Sequence, residues 1–459
     1  MKIKQVALYN YKSHRKLDLS FESDVTIISG NNGEGKSSVL GAIRDVFGRI
    51  HTKLPGLVGI SPKLGDVRIQ STTKLSEGLH VWAQIDISRE NASLDSDEGL
   101  NDGVIEVSRT RLRDRAPETV SSLADQLAVG HVVGTKNLDG FIDRIISADA
   151  RGEAYLMPVV AYYGTDRAVF DTPLRRRNFK THFPRFDGLN GSLSSNSNFK
   201  RVFEWFHAKE TEESLRQKKL RSFDYLDPEL SAVREAIERF MPGFRDPRTV
   251  LRPLRFVVDK AEGNSIRTFE LNQLSDGHRT CLAMVVDLAC RMVESNPSDV
   301  LANPLEAEAV VLIDEVDLHL HPSWQQVIIP DLLRVFPNTQ FVITTHSPQV
   351  MSSVESRCIR KLVVDEEETR VLIPSFALGA RSVDVMEDVQ EVDARPPNAI
   401  TAKLDRYKAL VSRSMWDSPE AIQLRAELDI WGWRDEPELR RIDVEIRLGE
   451  MRRKGVAKD

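Results

Sequence analysis

The sequence predicts an α/β fold built around a phosphate-binding loop, divided by a mainly helical insert and followed by a helical C-terminal region. Three observations carry this. "DVTIISG", "AVVLIDEV" and "TQFVITTHS" are short, continuous apolar runs, as strands buried on both faces of a parallel sheet tend to be. "GNNGEGKSS" follows the first of them and opens a helical segment, "SSVLGAIRDVFGRI", which is the context a phosphate loop needs. Between residues 117 and 250, and again after about 376, the pattern turns mostly helical.

In chain order, "IKQVALYNYKSHRKLDLSF" reads as two alternating strands around a polar turn. "GLHVWAQIDISR" and "GVIEVSRTRLR" read as a second pair, separated by an acidic, serine-containing loop near 90–102. Within the helical insert "YLMPVVAYYG" is an apolar strand, and "DGLNGSLSSNSN" is a Gly/Ser/Asn loop of the kind that punctuates domains. "LRFVVDKAEGNSIRTFELNQLS" predicts a hairpin that leads into "LSDGHRT" and an apolar helix, "CLAMVVDLACRM". Near the end, Ser418-Pro419-Glu420 and Asp435-Glu436-Pro437 resemble helix starts. The expected divisions are 1–116, 117–250, 251–375 and 376–459.

The 459 residues are enough for two to four units at a prior of about 150 residues each. Apolar content of 41% with 29% charged residues is globular. A net charge of −6 means that any grip on nucleic acid must come from a local patch. Cys281, Cys290 and Cys358 show neither pairing nor metal-ligand spacing, so all three are expected as buried apolar side chains in a reducing compartment. No apolar window approaches the roughly 18 residues of a membrane span, and the start lacks a signal-peptide pattern; a cytoplasmic protein with no membrane partner is expected.

The chemistry begins with the loop. Gly30, Gly33 and Gly35 let backbone N–H groups crowd round phosphate oxygens, with Asn31, Asn32 and Glu34 between them. Lys36 would reach the outer phosphates, and Ser37, with Ser38 beside it, would ligate Mg²⁺. "VVLIDE" ends a buried strand on two carboxylates. Asp314 would hold Mg²⁺, mostly through water, and Glu315 would orient or deprotonate an attacking water. His346 ends another apolar strand, where it could contact a terminal phosphate. An acidic strand end or a lone histidine is usually structural; the neighbouring phosphate loop is what favours the functional reading of these residues.

Taken together, "GNNGEGKSS", "VVLIDEVDLHLHP", "ITTHSP" and "LSDGHRT" resemble the phosphate loop, Walker B strand, switch histidine and signature of ABC-class ATPases of the RecF/SMC branch. "NYKSH" is similar to that branch's basic turn near the nucleotide, which implicates Lys12, Ser13 and His14. The resemblance covers residues 1–110 and 255–375 and implies an ABC-type head. It also implies head-to-head dimers with ATP lying between one copy's Lys36 and the other's Ser275 and Gly277, while Asp317 belongs to a loop that crosses the interface. His278 departs from the Gln or Glu more usual at its position. "YYGTDR" (162–167) would stand where such ATPases carry a glutamine loop.

With its short helical tail, the chain is more narrowly similar to the PtuA-like ATPases of Septu and certain retron anti-phage systems. That resemblance implies a separately encoded HNH nuclease effector as partner, and in retrons a reverse transcriptase with its DNA product. The chain itself shows no HNH constellation of clustered histidines and asparagine, so nuclease activity is not expected in it. A RecF-like clamp that binds DNA ends or junctions is the alternative.

Residues 166–221 hold 13 Lys/Arg against 7 Asp/Glu. Within them Arg175, Arg176, Arg177, Lys180 and Arg185 alternate with Phe179, Phe183 and Phe186. Such a segment either neutralises phosphates and stacks bases or is a solvated loop anchored by its phenylalanines. The tail, with Trp416, Trp431 and Trp433, is a second candidate docking surface.

Overall fold

The computed structural model describes residues 1–71, 74–87, 103–113, 133–167, 180, 183–195, 199–263, 265–365, 368–432 and 435–456. Strands β1 (Lys2–Tyr11) and β2 (His14–Ser20) form the first hairpin, and β3 (Val25–Ser29) is buried at every position. The phosphate loop then leads into α1 (Lys36–Lys53). A short ladder of β4 (Ile69–Ser71) and β5 (Lys74–Leu75) precedes β6 (Gly78–Asp86) and β7 (Val104–Leu112). The long strands make an antiparallel sheet in the order β2-β1-β6-β7.

The insert supplies α2 (Lys136–Arg151), β8 (Val159–Tyr163), α3 (Phe199–Leu220) and α4 (Pro228–Phe240). A small antiparallel sheet follows, β9 (Phe244–Leu251), β10 (Leu254–Glu262) and β11 (Ser265–Glu270), in the order β11-β10-β9. The predicted hairpin is β10–β11. Its third strand, β9, falls largely inside the stretch expected to be helical. Pro247 explains the difference: it is excluded from a helix interior but tolerated on an edge strand, the position β9 takes.

Next come α5 (Asp276–Ser295), β12 (Ala309–Ile313), α6 (Ile328–Val335), β13 (Thr339–Thr344), β14 (Ile359–Asp365) and β15 (Glu368–Leu372). The central sheet runs β15-β14-β3-β13-β12-β8, parallel from β14 to β8, with β15 antiparallel on one edge. β3, β12 and β13 are buried at every position, matching their continuous apolar runs. β8, from within the insert, is an edge strand of this same sheet. Helix α1 touches β1, β6 and β7 of the antiparallel sheet and also β12 and β13 of the central one. Because the central strands share one direction, their C-terminal ends line a single edge.

Residues Met1–Gln390 form one compact unit and Glu391–Asp459 a second. Residues 376–390 therefore belong with the first; Ala377 and Val385 sit in its core. Among the described residues the second unit is three helices, α7 (Ala399–Ser412), α8 (Pro419–Gly432) and α9 (Pro437–Val456), around Leu404, Tyr407, Leu410, Leu428, Leu439 and Ile442. Trp416 packs on that core and Trp431 is exposed, whereas Trp433 lies outside the described residues. Among the described residues no helix is long and apolar enough to cross a membrane.

Helix α5 is buried all round from Thr280 to Ser295, and all three cysteines are buried. Its burial includes charge. Asp287 accepts from the Tyr163 hydroxyl at 2.9 Å and from Arg291 Nε at 2.7 Å, while Arg291 Nη1 donates to the carbonyls of Gly188 and Asn190 at 2.9 Å each. Arg201 pairs with Glu294. This network ties β8, the insert and α5 together, and unpairing one member would strand a buried charge.

His51, on α1, faces the same network. Burial, and then the Arg291 charge, push its imidazole down to about 4, and Ser192 Oγ lies 3.2 Å from Nε2. The folded state thus favours the neutral ring. Stability from this group is complete above the ordinary value of 6.5 and falls as the pH drops from there toward 4, by about 3 kcal/mol in all. His51→Gln should flatten the loss of urea stability between about pH 7.5 and about pH 5 by roughly 2 kcal/mol. An unchanged pH dependence would show that the ring does not titrate differently on folding.

Candidate nucleotide site

The parallel edge brings four strand ends side by side: β3 with the phosphate loop, β13 with Thr344-Thr345-His346, β12 with Asp314-Glu315, and β8 with Gly164–Arg167. Gly33 and Gly35 hold φ of 88° and 85°, in the left-handed region that favours glycine. At Gly35 space is decisive as well, since a Cβ there would lie 2.2 Å from Ser13 Oγ and 2.3 Å from His14 Nε2. The N-terminal turn is therefore packed against the loop. His14 is fully buried, donates from Nε2 to the Gly35 carbonyl at 3.1 Å, and accepts at Nδ1 from Thr369 Oγ1 at 3.0 Å. Burial lowers its pKa, which favours the neutral ring this bonding needs. Lys12 lies on the same turn with Nζ 3.5 Å from Asp66.

Lys36 Nζ donates to the carbonyls of Gly30 and Asn31, both at 2.9 Å. Burial lowers its pKa, opposed by the charges of Glu34, Glu315, Asp314 and Asp317. Glu34 folds back to accept from Asn31, whose side-chain amide lies 3.3 Å from Oε1. Ser37 Oγ donates to Asp314 Oδ1 at 3.0 Å. The same carboxylate oxygen accepts from Thr344 Oγ1 at 2.6 Å, and Thr344 Oγ1 in turn accepts from the Glu315 N–H at 2.7 Å. One hydroxyl on β13 thus holds the Asp314 carboxylate and the Glu315 backbone, just past the end of β12.

Glu315 has φ of 47°, an uncommon conformation for a non-glycine residue that persists only where its surroundings fix it. Arg167 does the rest of the fixing. Its guanidinium donates to the carbonyls of Gly164 at 3.0 Å, Asp314 at 2.5 Å and Glu315 at 2.7 Å. "YYGTDR" is thereby placed at the site, through an arginine that clamps the backbone of the acidic strand end. Spacing alone does not single out Arg167 or Thr344: both stand in quoted motifs, but their partners are distant in sequence. Asp317 accepts from Thr345 Oγ1 at 2.5 Å. His346 is half-buried, its carbonyl accepts from Gln390 Nε2 at 2.6 Å, and its ring has no hydrogen bond among the described residues.

A divalent ion fits this array. Ser37 and Asp314 already share one oxygen contact at the mouth of the loop, and the open space around Gly33 leaves the backbone accessible. Among the described residues no three His, Cys, Asp or Glu side chains cluster as a metal cage, so such an ion would complete its shell with phosphate and water.

The signature turn lies elsewhere in the chain's own hydrogen bonding. Ser275 stands at the N-terminus of α5, is exposed, and its Oγ is 2.5 Å from His278 Nδ1. The His278 ring meets Trp324 edge-on with centroids 4.4 Å apart. A Cβ at Gly277 would lie 2.6 Å from the His319 carbonyl, so glycine there is required by the loop after the acidic strand. Ser275 makes no hydrogen bond to the phosphate loop among the described residues.

In the basic segment, Arg175, Arg176 and Arg177 lie outside the described residues. Lys180 pairs with Asp187. Arg185 is committed inward: it donates to the carbonyls of Ser295 and Tyr155 at 2.9 Å each and stacks over the Tyr155 ring at 3.7 Å. It is a packing residue, not a free cation, because aromatic and carbonyl partners from distant segments converge on it.

A family model described as AAA domain matches residues 5–241, and a second AAA-domain model, whose description refers to the AbiEii toxin and type IV TA systems, matches residues 171–352. The chain is 28% identical to the retron Ec83 probable ATPase of Escherichia coli over 97% of its own length and 86% of that protein. It is 27% identical to the retron Vc95 probable ATPase of Vibrio cholerae, over 93% of its length and 86% of the relative. A shorter stretch, 21% of the chain and 13% of the relative, is 38% identical to the Septu protein PtuA of Bacillus mycoides.

Thr344→Val keeps the shape of β13 but removes the hydroxyl between Asp314 and Glu315. ATP turnover should fall about 10- to 100-fold, with nucleotide affinity changed far less, because the hydroxyl orients the two acids and does not grip the phosphate chain. Steady-state turnover beside fluorescent-nucleotide titration would show this; equal losses in both would place Thr344 in binding instead.

Proposed function

The chain belongs to the AAA-domain family and is an ATPase, and on that premise we propose that it is the ATP-hydrolysing subunit of a bacterial anti-phage defence system. In this reading two copies pair head to head around ATP, and the pair holds and regulates a separate HNH nuclease. In a retron context a reverse transcriptase and its DNA product would join. Similarity to two retron ATPases over nearly the whole chain supports the defence setting. One observation carries the mechanism: the linked Ser37–Asp314–Thr344–Glu315 array lies within one chain, while Ser275 stands exposed at a helix N-terminus with no hydrogen bond to its own phosphate loop among the described residues.

The substrates are ATP and water. Lys36 would exchange its two loop carbonyls for phosphate oxygens. Ser37 and Asp314 would hold Mg²⁺, which supplies charge neutralisation at the phosphate oxygens when bound. Glu315, held by Thr344 and Arg167, would orient the attacking water and accept its proton at the carboxylate. His346, with a ring free of hydrogen bonds among the described residues, would donate to the transferring phosphoryl group. Ser275 and the first N–H groups of α5 from a second copy would complete the charge stabilisation.

Glu315→Gln with Mg-ATP should sediment as a dimer, and wild type without nucleotide as a monomer. Ser275→Arg should bind ATP normally yet neither dimerise nor hydrolyse it. Dimers that ignore both ATP and Ser275 would sink the paired-head reading. For the partner, tagged Glu315→Gln protein recovered from its host with Mg-ATP should bring down an HNH nuclease. Recovery of DNA alone, or of repair proteins, would move the assignment to a RecF-like clamp.

A further inference from the structure

The hairpin between α3 and α4 ends in a tip that its own packing does not explain. Phe223 is 90% exposed, and Leu215, Leu220 and Leu226 are each more than half exposed. Around them stand Arg216, Lys218, Lys219 and Arg221, all exposed, against two acids on the turn: the exposed Asp224, and Asp227, which is buried and caps α4 by accepting from the Glu229 and Leu230 N–H groups. Among the described residues none of these four cations forms an ion pair. In a chain of net charge −6 this is a local excess of positive charge.

The tip is nevertheless built. Gln217 Nε2 donates to the Tyr225 carbonyl at 2.8 Å, and the Ser222 N–H donates to the Gln217 carbonyl at 3.2 Å. Ser222 Oγ donates to Asp224 Oδ2 at 2.9 Å, which occupies that acid locally. Arg221 takes the left-handed conformation, φ 53°, that reverses the chain. Arg216 donates to the Tyr225 hydroxyl at 3.1 Å and lies over that ring at 4.8 Å. The turn therefore holds a phenylalanine outward on a fixed frame. The dipole of α3 accounts for Lys218 and Lys219 in its last turn. It accounts neither for Arg221 beyond the helix end nor for the exposed ring.

We propose that this tip, Arg216 to Phe223, binds single-stranded nucleic acid, with Phe223 stacking on a base and Lys218, Lys219 and Arg221 neutralising the flanking phosphates. An exposed ring among unpaired cations suits a flexible polyanion that also offers flat apolar faces. Duplex hides those faces in its stack, so single strands are preferred. The tip uses no residue of the phosphate loop or signature turn, and the proposal stands independently of the defence assignment.

The test is fluorescence anisotropy with a labelled oligothymidylate and the full chain, titrated at several salt concentrations. Phe223→Ala should weaken binding about tenfold, and Phe223→Trp should retain it. Lys218→Glu with Lys219→Glu should weaken binding at least tenfold and flatten the salt dependence by roughly 1.4 in log–log slope, about 0.7 for each phosphate that is no longer neutralised. ATP turnover without nucleic acid should be the same in every variant, which reports intact folding. Oligothymidylate binding unchanged by both sets of variants would overturn the proposal. So would duplex binding that ignores Phe223, or binding to phosphatidylserine vesicles without binding to the oligonucleotide, which would assign the tip to a membrane surface.

Discussion

A carboxylate with 5% of its surface exposed, at the meeting point of two hydroxyl donors, organises this site. Asp314 takes Ser37 from α1 and Thr344 from β13, and so joins the phosphate loop to the acidic strand end. A buried carboxylate must find hydrogen-bond donors, and here the donors come from the two elements the chemistry has to align. Thr344 then passes the constraint to the Glu315 N–H, and Arg167 closes it from the other side through three carbonyls. The strained backbone at Glu315 is held at its N–H by Thr344 and at its carbonyl by Arg167, which sets where its side chain leaves the chain.

The two glycine-bearing turns are shaped by different pressures. At Gly35 the buried N-terminal turn presses on the loop through Ser13 and His14, so the first residues of the chain help set the phosphate cradle. At Gly277 the pressing atom is the His319 carbonyl, beyond the acidic strand. The signature turn is thus coupled within one chain to the loop that follows Glu315.

Behind the site, α5 runs from the signature turn into the core, buried from Thr280 to Ser295. Its Asp287, Arg291 and Glu294 are paired with Tyr163 of the core sheet and with Arg201 and the Gly188–Asn190 carbonyls of the insert. The insert is accordingly part of the head's interior at one end. At its other end, the α3–α4 tip carries exposed apolar groups and, in Lys218, Lys219 and Arg221, cations that form no ion pair among the described residues.

Local pattern alone determined much of this protein. The fully apolar β3, β12 and β13, the loop between β3 and α1, and the helix after Ser275 were legible because burial on both faces and phosphate cradling each demand particular residues at adjacent positions. The expected switch histidine and acidic pair fall on neighbouring strand ends for the same reason. Tertiary structure alone decided the rest. That Thr344 and Arg167 fix the acids, that Arg185 packs inward against Tyr155, and that Pro247 lies on an edge strand all depend on which distant segments meet. Hydrogen bonds and stacking between residues far apart in the chain leave no periodic trace in it, so only the folded sheet could reveal them.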